Sequence, residues 1–206
     1  MKKISNEDKQ NIQNAIADIE SRTAAEVVPV ILSASDAYPV AFFRVGVVCA
    51  FLAGFISYFV FPHYDALVYL LVQIPFFFAG VLLAEIPAIR RTFLFRSEMA
   101  TETFQRAVEI FHRKGLHTCK DRNGILLIIS LMERQAHLLA DSGIDEKVAP
   151  GTWDVIIKNL VENIRSGRMT KGYKEALLAC GLVLEEHFPH QSGDVNELSN
   201  VLITDL

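Results

Sequence analysis

Two long stretches of the chain carry no charged position, while the segments around them mix apolar and polar residues with helical or strand periods. Val45–Phe61 and Ala66–Ala84 are built mostly from Leu, Val, Phe, Ala and Ile. A helix needs about 20 apolar residues to cross a bilayer, and about 17 suffice for a short span. With help from Val40–Phe43, both stretches qualify, as spans of about 40–61 and 66–84. Pro62-His63-Tyr64-Asp65 between them makes a tight turn. The alternative is a pair of buried core helices, but such helices normally keep a polar stripe, and these show none over several turns. The pattern therefore predicts a helical hairpin that crosses a membrane twice.

The flanks predict an ordinary domain. Ser5 caps a helix in which Ile12, Ile16 and Ile19 share a face, with Asp8 placed to reach back to the cap, and which ends near Ser21-Arg22-Thr23. Glu26–Leu32 reads as a strand, with Pro29 restricting it to an edge or a bulge. After the hairpin, a helix from Ser97 to Lys114 carries a stripe of Ala100, Phe104, Ala107, Val108 and Phe111. Gly124–Leu131 is a continuous apolar run, as expected of a strand buried on both faces. Met132-Glu133-Arg134 turns the chain into a partner strand, Gln135–Ala140, and Ile144–Val148 pairs briefly again. A third helix opens at Pro150-Gly151-Thr152 and keeps Trp153, Ile156, Ile157, Leu160, Val161 and Ile164 in helical period. Thr170 caps a fourth, with Tyr173, Ala176, Leu177, Cys180 and Leu184 inward, stopping at His187-Phe188-Pro189. The tail from Asn196-Glu197-Leu198 is read as lying on the surface. The fold class is α/β, an α/β/α sandwich with an inserted two-helix transmembrane hairpin. Residues 1–36 and 92–206 make one discontinuous domain and 37–91 the hairpin.

Composition sharpens this. The 206 residues carry a net charge of −4 and are 51% hydrophobic, with a mean hydropathy of +0.27 that the hairpin accounts for. There is no basic stripe of the kind a nucleic-acid binder needs. Cys49, Cys119 and Cys180 are too scattered for a disulfide framework or a zinc site. The turn between the spans has no Lys or Arg, whereas Arg44, Arg90, Arg91 and Arg96 collar the other ends as membrane-interface residues, with Arg44 snorkelling outward. Both termini are therefore expected in the cytoplasm. Arg90, Arg91 and Arg96 are placed to meet anionic lipid head groups. Gly46, Ala50 and Gly54, spaced by four, form a small-residue face for helix packing, against the hairpin's other arm or against a second copy, with self-association favoured.

Candidate chemistry is sparse. Glu133 and Arg134 sit at a strand tip, and Asp141 lies at the far end of the next strand, which separates it from Arg134. Those three are the catalytic candidates. Asp141, Asp145 and Glu146 beside Ser142-Gly143 are the candidate ligands for a divalent cation such as calcium, although no EF-hand order is present. His117 and His137 are possible acids or bases, and Glu26 is placed to meet the loop after Gly115.

Gly124–Leu131, Glu133-Arg134, Ala140-Asp141-Ser142-Gly143-Ile144, Pro150-Gly151-Thr152-Trp153, His187-Phe188-Pro189 and Asn196-Glu197-Leu198 together resemble the TPM domain family. The resemblance is to its bacterial membrane branch, which carries a paired transmembrane segment after the first strand, here Glu26–Leu32; Pro29 stands where that strand has a β-branched residue. It implies an α/β/α sandwich in a multi-pass protein of the bacterial inner membrane. Founders of the family include a thylakoid-lumen acid phosphatase, photosystem II repair factors and a receptor-accessory subunit, and some members bind calcium. For this chain the expectation is an interaction, scaffold or accessory module whose partner is a membrane protein, LemA-type by resemblance, or the chain itself. A membrane-anchored phosphatase or calcium-responsive hydrolase is the alternative.

Overall fold

The computed structural model describes residues 5–119, 121–190 and 201–205, in two units: residues up to Ser35 together with those from Ala100 onward, and Asp36–Met99. The first is organised by its most apolar strands. β1 (Glu26–Leu32) and β2 (Gly124–Ser130) are buried at every position. They pair in parallel from Glu26↔Gly124 to Leu32↔Ser130. β3 (Gln135–Ala140) returns antiparallel to β2, from Ser130↔Gln135 to Ile125↔Ala140. A two-residue β4 (Ile203–Thr204) lies parallel to β1, giving the order β3-β2-β1-β4.

Both sheet faces are covered. On one side α1 (Asn6–Glu20), α7 (Thr152–Arg165) and α8 (Met169–His187) bury Ile12, Ile16, Leu160 and Leu177 against Val27, Ile31 and Leu127. On the other, α5 (Arg96–Arg113) and a single 3-10 turn, Leu116–Thr118, pack Ala107, Ile110 and Leu116 against Val28, Val30 and Leu126. The Ser5 hydroxyl accepts from the Asp8 N–H at 3.0 Å, capping α1 as its sequence requires.

Four local expectations change. The buried stripe of α5 is rotated onto Met99, Thr103, Ala107 and Ile110, leaving Phe104 47% exposed. Residues Ile144–Val148 do not form a strand: Asp141 caps a helical turn, α6 (Ser142–Asp145), which drives Ile144 and Val148 into the core. Arg168, not Thr170, is the residue before α8. Over 201–205 the tail lies at the surface at Val201 and Asp205, as expected, but it also supplies β4 and buries Leu202. Asn196-Glu197-Leu198 lies outside the described residues.

Pro29 sits in an inner strand without breaking it. The Glu26 N–H donates to Asn123 O and the Val30 N–H to the Tyr173 hydroxyl, which in turn donates to Leu127 O at 2.7 Å. Even-numbered residues of β1 thus turn their donors toward β2. The donor that proline lacks belongs on the other side, before β4 begins at Val30↔Ile203. Between Val30 and Leu127 a buried phenol, 0% exposed, bridges the ladder. Burial pushes that phenol far above its ordinary range, so it stays protonated and able to donate.

In the second unit α2 (Pro39–Val60) and α3 (Ala66–Leu83) are each long and apolar enough to cross a membrane. They meet through small residues. A Cβ at Gly80 would lie 2.9 Å from the Gly46 Cα and from the Cys49 Cβ, and one at Gly54 2.6 Å from the Gln73 amide. The small face containing Gly46, Ala50 and Gly54 is therefore used within the hairpin at both glycines, which removes the reason to assign it to a second copy. α4 (Pro87–Thr92) follows, with Pro87 in its first turn.

Two predictions follow from these contacts. Tyr173→Phe keeps the ring but removes the buried hydroxyl that the Val30 N–H and the Leu127 C=O both contact, so the domain loses about 1–3 kcal/mol, read by the fluorescence of Trp153, the single tryptophan, during urea unfolding. A loss under about 0.5 kcal/mol means that the ladder closes without the hydroxyl. Gly80→Ala in detergent lowers the thermal midpoint by about 3–8 °C, while Leu82→Ala on the outer side shifts it by under about 1 °C. Equal shifts overturn the close-contact assignment.

Candidate functional site

Parallel strands in α/β domains deliver their loops, and usually their ligand sites, at their carboxyl ends. Here that end is gathered by one carboxylate. Glu133, in the β2–β3 turn, is 1% exposed. Its Oε1 accepts from the Ser35 N–H at 2.8 Å and the Ser35 hydroxyl at 2.6 Å, and its Oε2 accepts from the Ser130 hydroxyl. The Ser35 hydroxyl also lies 3.2 Å from that of the buried Thr103. Beside it, Ser33 donates its N–H and its hydroxyl to the two oxygens of Asp205, each at 2.7 Å. A carboxylate this deep needs charge-directed donors, and these lock the loop after β1 to the β2–β3 turn. Ser35, Ser130 and Thr103 were not singled out from sequence. Ser130 offered a signal, as a polar position near the end of an apolar run.

Arg134, next to Glu133, is exposed and held at φ 54°. Asp141 lies at the opposite end of β3, so Glu133, Arg134 and Asp141 do not share a site. Asp141 is 5% exposed and occupied locally: its Oδ1 accepts from the Ser142 N–H at 2.7 Å, and Arg122 Nε lies 3.1 Å from the carboxylate. Arg122 also donates to His117 O. Asp145 and Glu146 are exposed. Desolvation, and then the charge of Asp141, pushes the Asp145 carboxyl upward. Among the described residues, no three His, Cys, Asp or Glu side chains come together to hold a metal ion. Calcium asks for several oxygens around one point. The Asp141 carboxylate already serves a cap and an arginine, so this donor set does not fit that ion.

His137 on β3 packs against the Phe104 ring at 5.8 Å, and burial depresses its imidazole below 6.5. The folded state favours the neutral ring, so stability is full above pH 6.5 and declines as pH falls below it. His117 stacks with His112 at 4.8 Å. Glu26 pairs with Gly124, against which Leu116 of the 3-10 turn packs. Burial pushes the Cys180 thiol up to about 12, which keeps it inert as a nucleophile.

The arginine collar divides. Arg44 does not snorkel free: Nη1 donates to Phe93 O and Glu98 Oε2 at 2.9 and 2.8 Å, Nη2 donates to Glu98 Oε1 at 2.7 Å, and the guanidinium lies 4.8 Å from the Phe95 ring centre. Glu98 also accepts from the Phe95 N–H, and the two interactions hold its carboxyl at about 2. Arg90 donates to Ala84 O and Glu85 O and covers Phe42. Arg44 and Arg90 are thus staples of the elbow between α3 and α5. Arg96 is exposed and Arg91 partly so.

Comparison with known proteins adds a domain identity. The family model described as the TPM domain matches residues 91–182, a segment running from α4 through β2 and β3 into α8. A search of curated proteins finds no match. Among solved structures, the NMR structure of BA42 protein from the psychrophilic bacterium Bizionia argentinensis is similar, with a TM-score of 0.62 at 17% identity, covering 98% of this chain and 96% of that one. At that identity the likeness establishes the fold. With the α/β fold described above and the match within it, the chain carries a TPM domain.

Proposed function

We propose that the protein is an integral membrane protein whose TPM domain works on the cytoplasmic side as an interaction or accessory module. One observation carries the reading. β1 precedes the hairpin and β2 follows it, yet the two pair along their full length in one sheet. The domain cannot close unless both flanks of the hairpin lie on the same side, which two crossings provide. A domain interrupted in this way is tethered at two points, which suits a scaffold. The absence of basic residues from the 62–65 turn, against arginines at the other ends, supports a cytoplasmic placement in a bacterial inner membrane.

The hydroxyl of Ser35 on the buried carboxylate of Glu133 is the one arrangement that favours a hydrolase instead, with serine as nucleophile and Glu133 as base. Against it, that carboxylate is already engaged by Ser130 and by the Ser35 N–H.

Glu133→Gln separates the two readings. As a structural acceptor, Glu133 contributes about 1–3 kcal/mol, so the variant lowers the urea midpoint of Trp153 fluorescence, and wild type hydrolyses no phosphate ester with or without magnesium or calcium. Hydrolysis by wild type that the variant abolishes at an unchanged midpoint replaces the module reading with the enzyme. For topology, Cys49, Cys119 and Cys180 are replaced and single cysteines placed at His63 or Glu162. An impermeant maleimide added to intact cells labels the first and not the second; the reverse pattern inverts the orientation.

A further inference from the structure

The two edges of the sheet are treated very differently. Along the outer edge of β1 each donor is accounted for: the Val27 N–H donates to Glu20 Oε1 at 3.2 Å, Pro29 has none, Ile31 pairs with β4, and the Ser33 N–H donates to Asp205. That side of β1 has no donor left for a further strand.

The β3 edge is open. The Asp141 N–H donates to Gly124 O, which fixes the alternation along the antiparallel ladder. Leu139, His137 and Gln135 turn their backbone groups toward β2, and Ala136, Leu138 and Ala140 turn theirs outward. Among the described residues, no hydrogen bond reaches those outward groups. The strand Gln135–Ala140 has neither a charged residue nor a proline, the usual guards of an exposed edge.

We propose that this edge is a self-association surface, at which two copies of the chain pair β3 with β3 antiparallel about a two-fold axis at Leu138. The register is self-complementary. Leu138 faces Leu138 of the second copy, and Ala136 faces Ala140 in both directions, so the outward N–H and C=O groups of the three residues are satisfied together. An uncharged strand meets no like-charge repulsion from its own copy. Two four-stranded sheets become one. The proposal rests on the module reading and names its partner as a second copy.

The test uses the full chain in its native membranes, with Cys49, Cys119 and Cys180 replaced by Ala. Two differently tagged chains are co-expressed, one His137→Cys and the other Leu139→Cys. In this register these positions face each other as a non-hydrogen-bonded pair, with Cα atoms about 4.5 Å apart, within disulfide range. On oxidation, the mixed dimer is expected to exceed either same-cysteine dimer several-fold. Adding Ala136→Pro, which removes one outward donor and leaves the β2 ladder intact, should return the yield to background. No excess of mixed dimer overturns the proposal, and that comparison decides without the proline variant. A disulfide to a different protein also overturns self-pairing but leaves the module reading standing. Phosphate-ester hydrolysis that depends on Glu133 removes the module reading and leaves the pairing result untouched.

Discussion

An inner strand must settle its backbone hydrogen bonds on both sides, and β1 does so with a proline at its centre. On the β2 side the Tyr173 hydroxyl joins the ladder, accepting from the Val30 N–H and donating to Leu127 O. On the outer side the missing proline donor falls where no neighbour asks for it, and Glu20, β4 and Asp205 take the rest. This accounting ties α8, α1 and the 201–205 tail to a strand whose own chain leaves at once for the hairpin. Because β1 and β2 flank the hairpin in sequence and pair in space, a hairpin that enters a membrane must return to the side it left.

The collar and the Glu133 cluster show one principle at two places. Arg44 is held by Glu98 and by Phe93 O, and Glu133 by two serines. Both are charged side chains whose value lies in fixing a change of chain direction. A charge with full partners is a poor reagent and a good staple, and for the buried Glu133 removing one partner costs more than the contact contributes. This is why the polar residues that look chemical in the sequence turn out to sit at the ends of strands and helices.

Periodicity made much of this fold legible. Charge-free stretches marked α2 and α3, the continuous apolar run marked β2 as central, and the turn at Met132-Glu133-Arg134 marked the β2–β3 hairpin. What stayed hidden depended on partners distant in sequence. Ile203 and Thr204 carry no signal of their own and form β4 only because β1 offers an edge. Ile144–Val148 has strand-like residues, but the Asp141 cap starts a helical turn first. For the α5 stripe, choosing Phe104 over Met99 and Thr103 was a one-position rotation that hydrophobicity could not decide; the Ser35–Glu133 cluster makes room for a threonine. Candidate site residues were legible as types but not as a constellation, since β3 holds Arg134 and Asp141 apart, Arg122 claims Asp141, and Ser35 and Ser130 claim Glu133.

The central claim is that this TPM domain acts by binding a protein, another or its own copy, and native mass spectrometry of the tagged full chain, extracted from its own membranes in mild detergent, tests it most directly. The account predicts a discrete complex heavier than the 23.1 kDa chain by one whole subunit. A lone monomer across mild detergents, with no stoichiometric companion, would contradict it.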